Sequence, residues 1–95
     1  MDSPENIQYK LSSKLISSDV ANETVILDYE GGKYFGLDGV GSFVWSLLQK
    51  EGPLSLTVIA HRVMEEYDVT ESACLEDLKT LFADLRKNGL IETST

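Results

Sequence analysis

Cys74 and His61 are the single cysteine and single histidine of this 95-residue chain, so any thiol or imidazole chemistry must start from them. One cysteine and one histidine cannot make a structural zinc site by themselves, because such a site takes four ligands. A single cysteine also excludes an internal disulfide. Cys74 falls in an apolar run at helical spacing with Leu75 and Leu78, which reads as a packed thiol rather than a nucleophile. His61 lies opposite Ile59, Ala60 and Val63 and reads as a solvated surface histidine. Glu65 and Glu66 are adjacent, and adjacent helical residues point apart. They do not form a general acid–base pair. Glu30-Gly31-Gly32-Lys33 lacks the pattern and the following helix of a phosphate loop. The sequence therefore offers no catalytic residue, no metal site and no cofactor site, and points away from an enzyme.

The residues that remain are those that could bind a chain. Tyr9 to Ile16 reads as a weak strand, followed by turn chemistry at Ser17-Ser18-Asp19. Glu23 to Tyr29 is β-branched and apolar, the clearest strand in the sequence. Gly31-Gly32 supplies the positive φ that a tight hairpin needs, and Tyr34-Phe35-Gly36-Leu37 returns as the second arm. That arm is short and holds a glycine, as an edge strand does.

Three helices follow. Asp38 can cap the first, whose apolar face is Val40, Phe43, Val44, Leu47 and Leu48; Gly52-Pro53 ends it. Ser55 or Thr57 can cap the second, faced by Leu56, Ile59, Ala60, Val63, Met64 and Tyr67. Thr70 caps the third, with Ala73 where a capping box has Glu, and Asn88-Gly89 closes it. Leu90-Ile91 then packs back on the core. The expected architecture is α+β: a hairpin or three-stranded antiparallel sheet followed by three helices, with spacing that suits a helix-turn-helix core. Expected boundaries are a flexible end at 1–6, one domain at 7–92 and a tail at 93–95.

Composition narrows the partner. The length suits one domain, with no deep cleft between two. The formal charge is −8, with twice as many acids as bases. The excess sits at the two ends of the chain, and a nucleic-acid binder gathers the opposite charge. Acidity keeps a small protein soluble, and it also steers a basic or neutral partner. No apolar run approaches the roughly 20 residues of a membrane span, and the acidic start is unlike a signal peptide, so a cytoplasmic setting is expected.

A short edge strand beside a helix is a docking place for an extended peptide, which adds as one more strand. The edge is Lys33 to Leu37. The opposite wall is the third helix, where Cys74, Leu75, Leu78, Leu81, Phe82 and Leu85 span roughly 120° of arc. Asp77 and Asp84 flank one border of that stripe, Lys79 and Arg86 the other. Either all six apolar residues are core, or one border is a groove with an apolar floor and a charged rim. Trp45 lies off the main stripe of its helix and either extends the core or anchors a partner.

The run Glu23-Thr24-Val25-Ile26-Leu27-Asp28-Tyr29-Glu30-Gly31-Gly32-Lys33-Tyr34-Phe35-Gly36-Leu37-Asp38 resembles the hairpin of PqqD-like proteins. Gly41, Val44, Trp45 and Leu48 are similar to that family's next helix. Asp77, Leu81, Phe82, Leu85, Arg86, Gly89, Leu90 and Ile91 are similar to its closing helix and Gly-Leu-Ile end. The resemblance runs from about residue 20 to 92 and implies a winged helix-turn-helix-like domain that recognises ribosomally made, modified peptides. It implies that a precursor's leader adds to Lys33, Tyr34, Phe35, Gly36 and Leu37, against a wall drawn from Asp77, Leu78, Leu81, Asp84 and Leu85. The hairpin looks most like free-standing lasso-peptide leader-binding proteins, which hand the precursor to a separate leader protease. The next candidate is the pyrroloquinoline quinone synthesis chaperone, which works with a modifying enzyme. Two alternatives from other classes are a winged-helix DNA-binding module and a structural subunit without a peptide ligand.

Overall fold

A computed structural model of the chain describes residues 7–20 and 23–94. The expected loose end, 1–6, lies outside the described residues. The order of elements is β1 (Gln8–Leu11), β2 (Leu15–Val20), β3 (Glu23–Asp28), β4 (Lys33–Asp38), α1 (Gly39–Glu51), β5 (Leu54–Ser55), α2 (Leu56–Glu66), α3 (Glu71–Lys87) and β6 (Ile91–Ser94). The three-stranded antiparallel sheet followed by three helices is present, as β2-β3-β4 and then α1 to α3.

A second small sheet, β5-β1-β6, was not expected. The single strand expected from Tyr9 to Ile16 is in fact two, broken at Ser12-Ser13-Lys14. β1 pairs with β5 and β6, while β2 pairs with β3. At the break the Ser12 hydroxyl donates to the Gly89 carbonyl at 2.7 Å, and the Ser12 N–H bonds the Leu90 carbonyl. The expected turn at Ser17-Ser18-Asp19 is also corrected. These residues belong to β2 and pair with Ile26, Val25 and Thr24. Polar turn residues are accepted there because β2 is an edge strand and Ser18 and Asp19 remain exposed.

The helix starts follow the sequence closely. Ser55 accepts from the Val58 N–H and Thr70 from the Ala73 N–H, so both are true N-caps. Asp38 holds the N-cap position of α1, but its side chain makes no capping bond. Gly89 adopts φ +72°, the left-handed conformation that ends α3 and turns the chain into β6.

One face of the β2-β3-β4 sheet meets the helices. Ile26, fully buried at its centre, joins Val44, Leu48, Leu78, Phe82 and Leu85 in one cluster. Trp45 is 2% exposed, so it extends the core rather than anchoring a partner. Tyr9 stacks on Phe82 with ring centroids 4.6 Å apart, tying the small sheet to α3. The other face of the larger sheet stays open: Ile16 and Tyr34, on either side of Leu27, are 55% and 72% exposed. Among the described residues, no helix is long and apolar enough to cross a membrane.

Leu78 is 1% exposed and sits where α3 meets the rest of the core. Leu78→Ala should lower unfolding stability by about 2–5 kcal/mol, as large-to-small core changes do. Urea titration followed by circular dichroism measures this, and a loss under about 1 kcal/mol would place Leu78 outside the core.

Candidate peptide-binding site

The site begins with how β4 is held. The Asp28 carboxylate accepts from the Glu30 and Gly31 N–H groups at 3.1 and 3.0 Å and closes the β3–β4 turn. Gly32, at φ +69°, completes it. At the other end of the hairpin, Thr24 is buried. Its hydroxyl donates to the Asp19 carboxylate at 3.0 Å. A threonine hydroxyl has one proton, so the 2.5 Å contact with Ser42 is a bond that Ser42 donates. This links β2, β3 and α1 and fixes where β4 runs into the helix. Neither Thr24 nor Ser42 is flagged by pattern alone, because their bond joins residues 18 apart.

Held in this way, β4 pairs with β3 in the register Ile26↔Phe35 and Thr24↔Leu37. It is the last strand of its sheet, and among the described residues nothing pairs with its other edge. Alternate N–H and C=O groups of Lys33 to Leu37 are therefore available to a guest strand. Phe35 and Leu37 share the inward face with Lys33, and both are half-buried; Lys33, Tyr34 and Gly36 are exposed.

The α3 residues named from sequence separate into two groups. Leu78 and Leu85 are core, at 1% and 4% exposure. Asp77, Leu81 and Asp84 reach the surface and line an open depression with Lys79, Thr80, Ala83 and Lys87. The two aspartates are seven residues apart, so about 10.5 Å along the axis, with Leu81 between them. Leu81 also marks the side of α3 that faces β4. A Cβ built on Gly41 of α1 would lie 3.5 Å from Leu37 Cδ2 and 3.7 Å from Leu81 Cδ1. Leu37 and Leu81 thus both border Gly41, and all three are half-buried. Sequence reading placed Gly41 in the hairpin-following helix without giving it a place in the site. The one signal was a glycine inside a helical pattern.

The reactive residues lie elsewhere. Cys74 is buried, with its thiol directed at the Ala60 carbonyl at 3.8 Å. Burial first, then the Asp77 and Glu71 carboxylates, push its pKa up. His61 is exposed, and although Glu65 stands one turn further on, no hydrogen bond joins them. No group of three or more metal-binding side chains occurs among the described residues.

The sequence pattern of the family described as coenzyme PQQ synthesis protein D matches residues 23–91. The chain belongs to the PqqD family. Members of this family are non-catalytic binding domains. The match takes in the hairpin, α1 and all of α3. Two solved structures are similar to this PqqD-family chain. One, described as TbiB1 in complex with the TbiA(beta) leader peptide, is 34% identical, covers 87% of this chain and 94% of its own, and has a TM-score of 0.80. The other, described as lasso peptide synthetase B1 complexed with the leader peptide, shares the fold: 21% identity, 88% and 96% coverage, TM-score 0.76. A comparison with curated proteins finds no match.

Two measurements on the free protein test this geometry. Amide exchange along β4 should alternate, with N–H groups that face β3 protected and those on the outer edge exchanging faster. Uniform protection would mean that something already covers the edge. Iodoacetamide should label Cys74 slowly in the native state and quickly in urea. The raised thiol pKa has a definite sign. The stabilisation is fully present below the unfolded thiol's pKa, about 8.5, and declines as pH rises above it. Cys74→Ala should therefore flatten the alkaline fall in stability.

Proposed function

We propose that the chain captures the leader segment of a ribosomally made precursor peptide as a strand added to β4, and presents the precursor to a partner leader protease or other modifying enzyme. The observation that carries this reading is the unpaired edge of β4 beside Leu81 of α3, in a chain that is 34% identical to a protein solved with a leader peptide. Lys33 to Leu37 supply the backbone bonds. Each is worth about 0.5–1.5 kcal/mol net, so side chains must supply the rest. Phe35, Leu37 and Leu81 offer apolar contact, and the depression beside Leu81, rimmed by Asp77 and Asp84 together with Lys79 and Lys87, offers charge partners of both signs to a leader's polar residues. Leu78 and Leu85 act from beneath, by fixing α3.

The finer points belong to the same reading. The sheet and α2–α3 pair form a winged helix-turn-helix-like domain spanning 7–92, working in the cytoplasm where ribosomal precursors are made. The Tyr34-Phe35-Gly36-Leu37-Asp38 arm favours a lasso-peptide precursor over that of pyrroloquinoline quinone. A DNA-binding role is disfavoured, because Glu71, Glu76, Asp77 and Asp84 are all exposed on the helix that would enter a groove.

The test is fluorescence anisotropy with a labelled leader from the precursor encoded beside this chain's gene. Saturable binding is expected. A flat signal up to high micromolar protein would sink the proposal. Phe35→Asp and Leu81→Asp should each weaken binding at least about tenfold, equivalent to about 1.4 kcal/mol, while circular dichroism stays native. If neither does, the peptide lies elsewhere.

A further inference from the structure

The groove between α2 and α3 has no part in leader capture as described. Thr57, Ala60, His61 and Met64 of α2 and Glu71 and Leu75 of α3 line a cavity of about 140 Å³ there. Its apolar members are covered: Ala60 is buried, and Met64 and Leu75 are half-buried. Its polar members, Thr57, His61 and Glu71, are exposed at the mouth. An apolar cavity of about 150 Å³ takes up benzene, so this one has room for one large apolar side chain. Leu75 and Leu81 are six residues apart, which is about 120° around the helix axis. The buried Leu78 and Phe82 fall between them. The groove therefore lies on the opposite border of α3 from Leu81 and β4.

Charge says what could fill it. From Val63 to Glu76 the chain carries Glu65, Glu66, Asp68, Glu71 and Glu76, all exposed, and no Lys or Arg. The ion pairs among the described residues, Lys14–Glu30 and Arg62–Glu51, use none of these five. Lys79, one turn past Leu75, is the first base beyond them. A field of one sign repels a second copy of this chain and repels nucleic acid, but draws in a basic protein surface. We infer that this groove is the docking surface for a basic segment of the partner enzyme, which seats one large apolar side chain between Met64 and Leu75 with Lys or Arg on either side of it. Identifying the partner as the enzyme that acts on the precursor rests on the proposed function. With leader on one border of α3 and enzyme on the other, the chain holds both at once.

The experiment follows the purified partner enzyme, encoded beside this chain's gene, binding the immobilised full chain by biolayer interferometry, with and without leader peptide. Raising salt from about 50 to about 300 mM should slow association several-fold, since exposed charges are screened. Leu75→Ser, which removes the apolar wall, should speed dissociation at least about tenfold. Glu65→Lys combined with Glu71→Gln leaves that wall intact and should mainly slow association. Both variants should still bind labelled leader in the anisotropy assay, which reports that they are folded. If Leu75→Ser loses leader binding as well, the charge variant decides. Wild-type enzyme kinetics in the charge variant and in a folded Leu75→Ser overturn the inference. So does an enzyme that fails to bind the wild-type chain, or one whose binding is lost only with Leu81→Asp. In each of these cases leader anisotropy on the wild-type chain shows separately whether leader capture stands.

Discussion

The larger sheet has three strands and can bury only one face. That face meets the helices most fully along β3, where Ile26 is fully buried and Thr24 nearly so, with Leu15 of β2 and Phe35 and Leu37 of β4 partly buried on either side. Everything that makes β4 available depends on this. Were β3 the edge, its inward groups would be wet and the helices would lose their seat. Because β3 is central, β2 and β4 become the two edges. β4 is the one that runs directly into α1 and has Leu81 of α3 beside its Leu37. An isolated hairpin of this length is marginal in water. Its order comes from Ile26 below and from the Thr24, Asp19 and Ser42 bonds at its base.

The same burial explains how α3 divides its labour. Cys74, Leu78, Phe82 and Leu85 face inward and belong to the core. Leu81 lies next to that stripe, half-buried, with carboxylates one turn to either side. A helix that gave all its apolar residues to the core would leave no greasy contact for a guest. A helix with a fully exposed stripe would aggregate. One half-covered leucine between two aspartates is a compromise between these.

Much of this was readable from residues alone. The strand at Glu23 to Asp28, the glycine turn, and the limits of all three helices follow from local chemistry, since caps and breakers act within a few positions. Asp38 takes the N-cap position without the capping bond, and the larger departures are long-range. Tyr9 to Ile16 looked like one strand, because nothing within it says that Leu11 will pair with Ile91 while Leu15 pairs with Asp28. Ser17 to Asp19 looked like a turn, because the propensity of serine and aspartate was outweighed by pairing with β3. In the site, periodicity found the stripe on α3 but not which of its members are covered; Leu78 and Leu85 are buried in a core cluster drawn from elements distant in sequence. Gly41 was visible as a letter. Its meaning needed the positions of Leu37 and Leu81, four residues before it and forty after.

The small sheet has a consequence of its own. β1 lies between β5 and β6, and Gln8 pairs with Ser94, so the two ends of the described domain leave it side by side. Such a module can be spliced into a longer polypeptide, or tethered at either terminus, with little disturbance to its interior. A catalytic domain joined there would meet any captured peptide at a local concentration set by the linker rather than by diffusion through the cell.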